Sequence, residues 1–184
     1  DHIQGGTVDR LDISTNAPWS TIKSSGPPIP DDGLLIQIVG HGAEIRPVEG
    51  LPAIRDADLN VRVTGRTAAI NLGRGNIGIS PGRKLSITNG VFEVPDTFPK
   101  APPAKARFRL DGSVPAAAEL LGMERLRDYS GAPIDPATSR GTLTAQVTLA
   151  LPLKVDLAPG SSIYTINLDI ANFVAERMVM GQKV

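Results

Sequence analysis

Between Leu51 and Val94 the sequence reads LPAIRDADLNVRVTGRTAAINLGRGNIGISPGRKLSITNGVFEV, and short runs in it alternate apolar with polar. Leu59, Val61 and Val63 alternate with Asn60 and Arg62; Ile70 and Leu72 flank Asn71. Ile77 and Ile79 flank Gly78, and Leu85 and Ile87 flank Ser86. Successive side chains of a strand point to opposite faces, so each run carries one apolar and one polar face. Glycines at 65, 73, 75, 82 and 90 separate the runs. With Gly-Arg, Pro-Gly-Arg and Asn-Gly as punctuation, the stretch is predicted to be an antiparallel meander of short strands. What it offers is a long one-sided apolar sheet.

The flanks extend this pattern. Residues 3–13 predict a strand that starts at a Gly-Gly bend, and the proline-rich segment 15–33 a loop. Leu34 to Val39 is a continuous apolar strand bounded by Gly33 and Gly40, with a second short strand or tight return from His41 to Pro47. A second proline-rich loop covers 95–103, because proline cannot donate to a ladder. In AKARFRL, Ala104, Ala106, Phe108 and Leu110 face one way and Lys105, Arg107 and Arg109 the other. A helix is predicted over 114–129, with Ser113 as its cap, Pro115 in its first turn and an apolar stripe of Leu120, Met123 and Leu126 beside Leu121. Leu143, Ala145, Val147, Leu149, Leu151 and Leu153 then share one face of a long strand. Tyr164, Ile166, Leu168 and Ile170 share a face of the next. With roughly ten strands in all, the predicted fold is mainly β: a curved antiparallel sheet meander, open and groove-like, with one short α-helix. The whole of 1–184 reads as a single β-rich segment.

Charge and composition narrow the partners. Nineteen basic residues balance nineteen acidic ones, which argues against a general affinity for nucleic acid or anionic membrane. Cysteine is absent, so disulfides and thiolate chemistry are excluded. No run approaches the roughly 18 apolar residues of a membrane helix. The chain opens at Asp1-His2-Ile3 without an initiator Met and ends without a turn or cap, so it is expected to be an internal segment of a longer protein.

Chemistry-bearing motifs are few. Gly73-Arg74-Gly75-Asn76-Ile77-Gly78 matches G-x-G-x-x-G, but a dinucleotide site needs a helix to open just after it. The following residues alternate as a strand instead, so a hairpin is expected. Asp56 and Asp58 share a strand face without further ligands around them, which fits solvated acids better than a calcium site. His2 and His41 are the only imidazoles, and neither lies in a metal-ligand spacing. No G-x-S-x-G elbow occurs. Lys105, Arg107 and Arg109 read as a solvated strand face. No catalytic residue, metal or cofactor is expected.

The run LPAIRDADLNVRVTGRTAAINLGRG, the later GVFEVPD, the FRLDGSVPAAAELL passage and GTLTAQVTLALPL together resemble the AsmA-like superfamily, in particular its YhdP-type branch of Gram-negative envelope proteins. The resemblance implies a protein anchored in the inner membrane outside this sequence and extending through the periplasm. Repeated β-units would curl into a long apolar groove that carries phospholipid between inner and outer membranes without catalysis. Its partners would be phospholipid or another acyl-chain ligand and neighbouring repeats of the full-length chain, with membrane contact only through parts beyond this sequence. The residues expected to line the groove are Leu143, Val147, Leu149, Ile166, Leu168 and Ile170, then Leu59, Val61, Val63, Ile70 and Leu72. A lipid with some thirty methylenes, at about 0.8 kcal/mol each, resists leaving a bilayer by on the order of 20 kcal/mol, and an aliphatic wall lowers that barrier. The alternative is a structural or protein-interaction β-domain of the envelope, with a closed core and no lipid site.

Overall fold

The computed structural model describes residues 3–21, 28–127, 134–153 and 163–175. Among the described residues nine strands run in chain order: β1 (Ile3–Gln4), β2 (Thr7–Thr15), β3 (Leu34–Ile45), β4 (Ile54–Thr64), β5 (Ala68–Ser80), β6 (Arg83–Val94), β7 (Pro103–Ser113), β8 (Ser139–Pro152) and β9 (Ile163–Ala175). Two helices, α1 (Val114–Leu121) and α2 (Glu124–Arg127), lie between β7 and β8. Every pairing is antiparallel, and from β3 to β9 spatial order follows chain order. Both β1 and β2 lie along β3. Among the described residues nothing joins β9 back to β2, so the sheet is open, with one short helix on one face as the alternation predicts.

The strands are fewer and longer than the glycine spacing suggests. Gly73 to Gly78 all lie inside β5, where a hairpin was expected. Gly75 is there for clearance: a Cβ on it would come within 2.6 Å of Ile54 Cγ2 on the adjacent strand. Asn89-Gly90 is likewise internal to β6. Asn89 takes φ +51 and the pairing with β7 slips between Thr88 and Val91, which makes the pair a β-bulge rather than a turn. The expected break after Gly40 is also a bulge, so β3 continues through His41 to Ile45, and Gly42 and Asp56 take positive φ on the facing strands. Bulges of this kind bend a strand and add twist without ending it. The real turns are at Gly65-Arg66, closed by Thr64 N–H on Thr67 C=O at 2.9 Å, and at Pro81-Gly82.

Helix α1 begins as predicted: Ser113 Oγ accepts from the Ala116 N–H at 3.3 Å, and Pro115 sits in the first turn. It ends earlier than predicted. Gly122 closes it, its N–H donating to Ala118 C=O at 3.0 Å, and only the single turn α2 follows. Residues 128–129 of the predicted helix lie outside the described residues. The buried side of α1 is therefore Val114, Ala116 and Ala118, small enough for close approach to the sheet, while Leu121 of the predicted stripe is exposed.

Two clusters form the core. In one, Ala116 packs with Ile54, Ala57, Leu59, Leu72, Ile77, Leu85 and Ile87. In the other, Val114 packs with Leu143, Ala145 and Val147. Both lie beneath or beside α1. Its Glu119 is tied to the sheet, accepting from Arg83 at 2.7 Å and from Ser80 at 3.0 Å. Arg83 also donates to Pro136 C=O at 3.2 Å.

Candidate functional site

Residues directly opposite one another in antiparallel strands point to the same face. That rule turns the register into a map. Leu11 pairs with Ile38, Ile38 with Val61, Val61 with Ile70, Ile70 with Phe92, Phe92 with Ala106, Ala106 with Leu149, and Leu149 with Tyr164. One uninterrupted apolar row therefore crosses all eight strands from β2 to β9. Seven strand spacings make it about 34 Å long. Beside it, Ile13, Ile36, Val63 and Ala68 pair in succession, continuing the apolar surface. On the other face the matching row is Arg10, Val39, Asn60, Asn71, Val91, Arg107, Thr148 and Thr165, which is mostly polar.

The apolar face is covered unevenly. Where α1 lies across β5 to β8, Leu85 is 1% exposed and Ala116 wholly buried. Ile36, Ile38, Val61, Val63, Ile70 and Phe92 are half-buried, and Ile70 packs against the first core cluster. At the two ends of the face exposure rises: Leu11 is 56% exposed and Leu168 51%. Large apolar surface left in water is the unusual observation, since single exposed apolar residues are common and contiguous patches are not.

The eleven residues expected to line a groove all fall on this face, in two environments. Val61, Val63, Ile70 and Leu149 are half-buried, and Ile166, Leu168 and Ile170 are exposed. Leu59, Leu72, Leu143 and Val147 are packed into the two clusters around α1 and are core. Helix α1 contributes Ala116 to the first cluster and Val114 to the second, and alternation along a strand carries no record of what packs on top. Leu11, Ile36, Ile38, Phe92 and Tyr164 belong to the same open surface. The first four were legible in principle, but LLIQIV reads as an unbroken apolar run, and only the register separates Ile36 and Ile38 from Leu35 and Val39.

The polar face holds a shallow depression of about 440 Å³ lined by Asp9, Val39, His41, Asp58, Asn60 and Asn71 among others, with no serine in its lining. His41 Nδ1 lies 2.8 Å from the Asp9 carboxylate. That hydrogen bond, with the charge of Asp9, holds the imidazole above its ordinary value. Asp58 accepts from Arg74 at 2.7 Å, and Asp56 from Asn76 at 3.4 Å, so the two acids serve different partners. His2 lies outside the described residues. Among the described residues no group of three or more metal-ligating side chains comes together. Arg109 donates to Asp111 at 2.7 and 2.8 Å, and Thr144 donates to the same carboxylate at 2.6 Å. The Arg109 bonds first, then that of Thr144, hold Asp111 below the usual carboxylate range. Lys105 stands opposite Glu93 in the register. The basic row of β7 is thus partly neutralised within the sheet. No helix among the described residues is long and apolar enough to cross a membrane.

Compared with family models, with curated proteins and with solved structures, the chain matches none of them.

Proposed function

We propose that this chain is a non-enzymatic lipid-binding segment of a periplasmic, AsmA-like envelope protein of the YhdP type. Its open apolar face would cradle acyl chains on their way between inner and outer membranes. The observation that supports the reading is the row from Leu11 to Tyr164, apolar at every one of eight strands, half-buried along its middle and exposed at both ends. An extended acyl chain needs a continuous aliphatic surface and few polar contacts, since its affinity is the sum of many methylene burials. The polar opposite face keeps the outside of the sheet in water. The closed-core alternative rests on the two packed clusters, which take in residues of β3 to β6 and of β8.

The test is direct. Purified protein is expected to carry phospholipid in native mass spectrometry and, once stripped, to bind a fluorescent fatty-acid probe. Ile70→Asp puts a charge in the centre of the row and should weaken probe binding by roughly tenfold or more. Because Ile70 is half-buried, Leu11→Asp at the exposed end is the companion variant, with unchanged circular dichroism and reduced probe binding. Asn71→Asp on the polar face should leave binding intact. Wild-type protein that carries no lipid and binds no probe would overturn the reading.

A further inference from the structure

We infer that β9 is a self-association edge through which two copies of this chain join their sheets. The two edges of the sheet are built differently. β2 is defended: it carries Asp9, Arg10 and Asp12, its pairing slips between Val8 and Arg10, and Gly5 and Gly6 turn the chain just before it. Charges, bulges and interruptions are the devices that stop an edge strand from recruiting another. Between Ile163 and Ile170, β9 has no bulge and no interruption. That stretch holds one charge, Asp169, no proline and no lysine, and it runs in continuous register with β8. Among the described residues no strand lies beyond it. Nine of the twelve exposed large apolar residues lie on these two edge strands, six of them on β9, so the undefended edge is also the greasier one.

The occupant follows from the sequence of β9 itself. An antiparallel pair of identical strands is two-fold symmetric, so the strand must complement itself. Centred on Asn167, the pairing sets Ile166 against Leu168 and Tyr164 against Ile170 on the apolar face, with Thr165 against Asp169 and Asn167 against its own copy on the polar face. No like charges meet. Side chains that oppose one another share a face, so both apolar faces end up on the same side of the joined sheet. Sixteen strands would extend the apolar row to about 72 Å. The defended β2 edge leaves the assembly closed at two copies rather than growing. This inference concerns association alone and stands or falls without lipid.

The test uses the purified chain, free of lipid, in analytical ultracentrifugation. Wild type is expected at twice the mass of one chain. Asn167 is exposed on the polar face, so Asn167→Lys and Asn167→Asp should each fold normally. Each sets like charges opposite one another at the two-fold axis and should weaken the dimer roughly tenfold or more. Mixing the two variants should restore a dimer of one copy of each. A wild-type monomer at all concentrations, growth into larger oligomers, charged variants that still dimerise alone, or a mixture that fails to pair would each overturn the inference.

Discussion

The part of the apolar face under α1 and its outer part on the edge strands have the same alternation and the same residue types, yet only the first is closed. Under the helix, Leu85 touches Ala116 and its neighbours and is 1% exposed; on β2, Ile13 is 63% exposed. The difference lies in a single insertion between β7 and β8. A two-turn helix of mostly small residues is enough to convert sheet surface into core, because Val114, Ala116 and Ala118 approach the strands closely. A β-sheet with a long apolar face thus needs a local covering element to become an ordinary core, and this chain supplies one for part of its width.

The sharpest way to break the comparison is by truncation on each side of it. Leu85→Ala removes a side chain packed on all sides and should cost about 2–5 kcal/mol in urea unfolding, through lost burial and the cavity left behind. Ile13→Ala on the open side removes a chain that already meets water and should cost under about 1 kcal/mol. Equal costs would mean that the two regions are equally packed. Acyl-chain binding should respond in the opposite order.

A smaller effect is expected at the helix cap. Ser113→Ala removes the oxygen that accepts from Ala116 N–H and should cost about 1 kcal/mol. If α1 is what closes its part of the face, hydrogen exchange should rise at β5 to β8 beneath the helix and stay unchanged at β2 and β3. Uniform acceleration would make the helix merely a part of one cooperative unit.

How far the sequence discloses this contrast depends on the residue. Which face each of Leu59, Val61, Ile70, Leu149 and Leu168 occupies is written in the period of two, because the pleat enforces it. The start of α1 is equally plain, since Ser113 and Pro115 occupy positions that a helix N-terminus selects chemically. Strand ends are less legible. Gly75 and Asn89-Gly90 look like turns, but the first gives clearance to Ile54 and the second forms a bulge, and the same residue types suit all three purposes. Least legible is coverage. Leu72 and Ile70 sit two residues apart on one face of one strand, and only tertiary packing makes the first core while the second lies half-buried at the edge of the same cluster.

The smallest expected effect tests how the cover is held. Glu119 on α1 accepts from Arg83 and Ser80, and the Arg83 hydrogen bond, followed by that of Ser80, draws its carboxyl below the ordinary 4.5. A group whose pKa is lower in the folded chain binds protons more readily when unfolded. Its contribution to stability is therefore present above about pH 4.5 and fades as pH falls through the folded value. Glu119→Gln should accordingly unfold at lower urea than wild type at neutral pH, with the gap closing as the carboxylate is protonated in acid and narrowing in high salt, since the pair sits at the surface. A gap that persists at low pH would assign the role of Glu119 to packing or neutral hydrogen bonding. The helix would then be fastened to the sheet by packing and neutral contacts, and the boundary of the closed face would not move with the charge of Glu119.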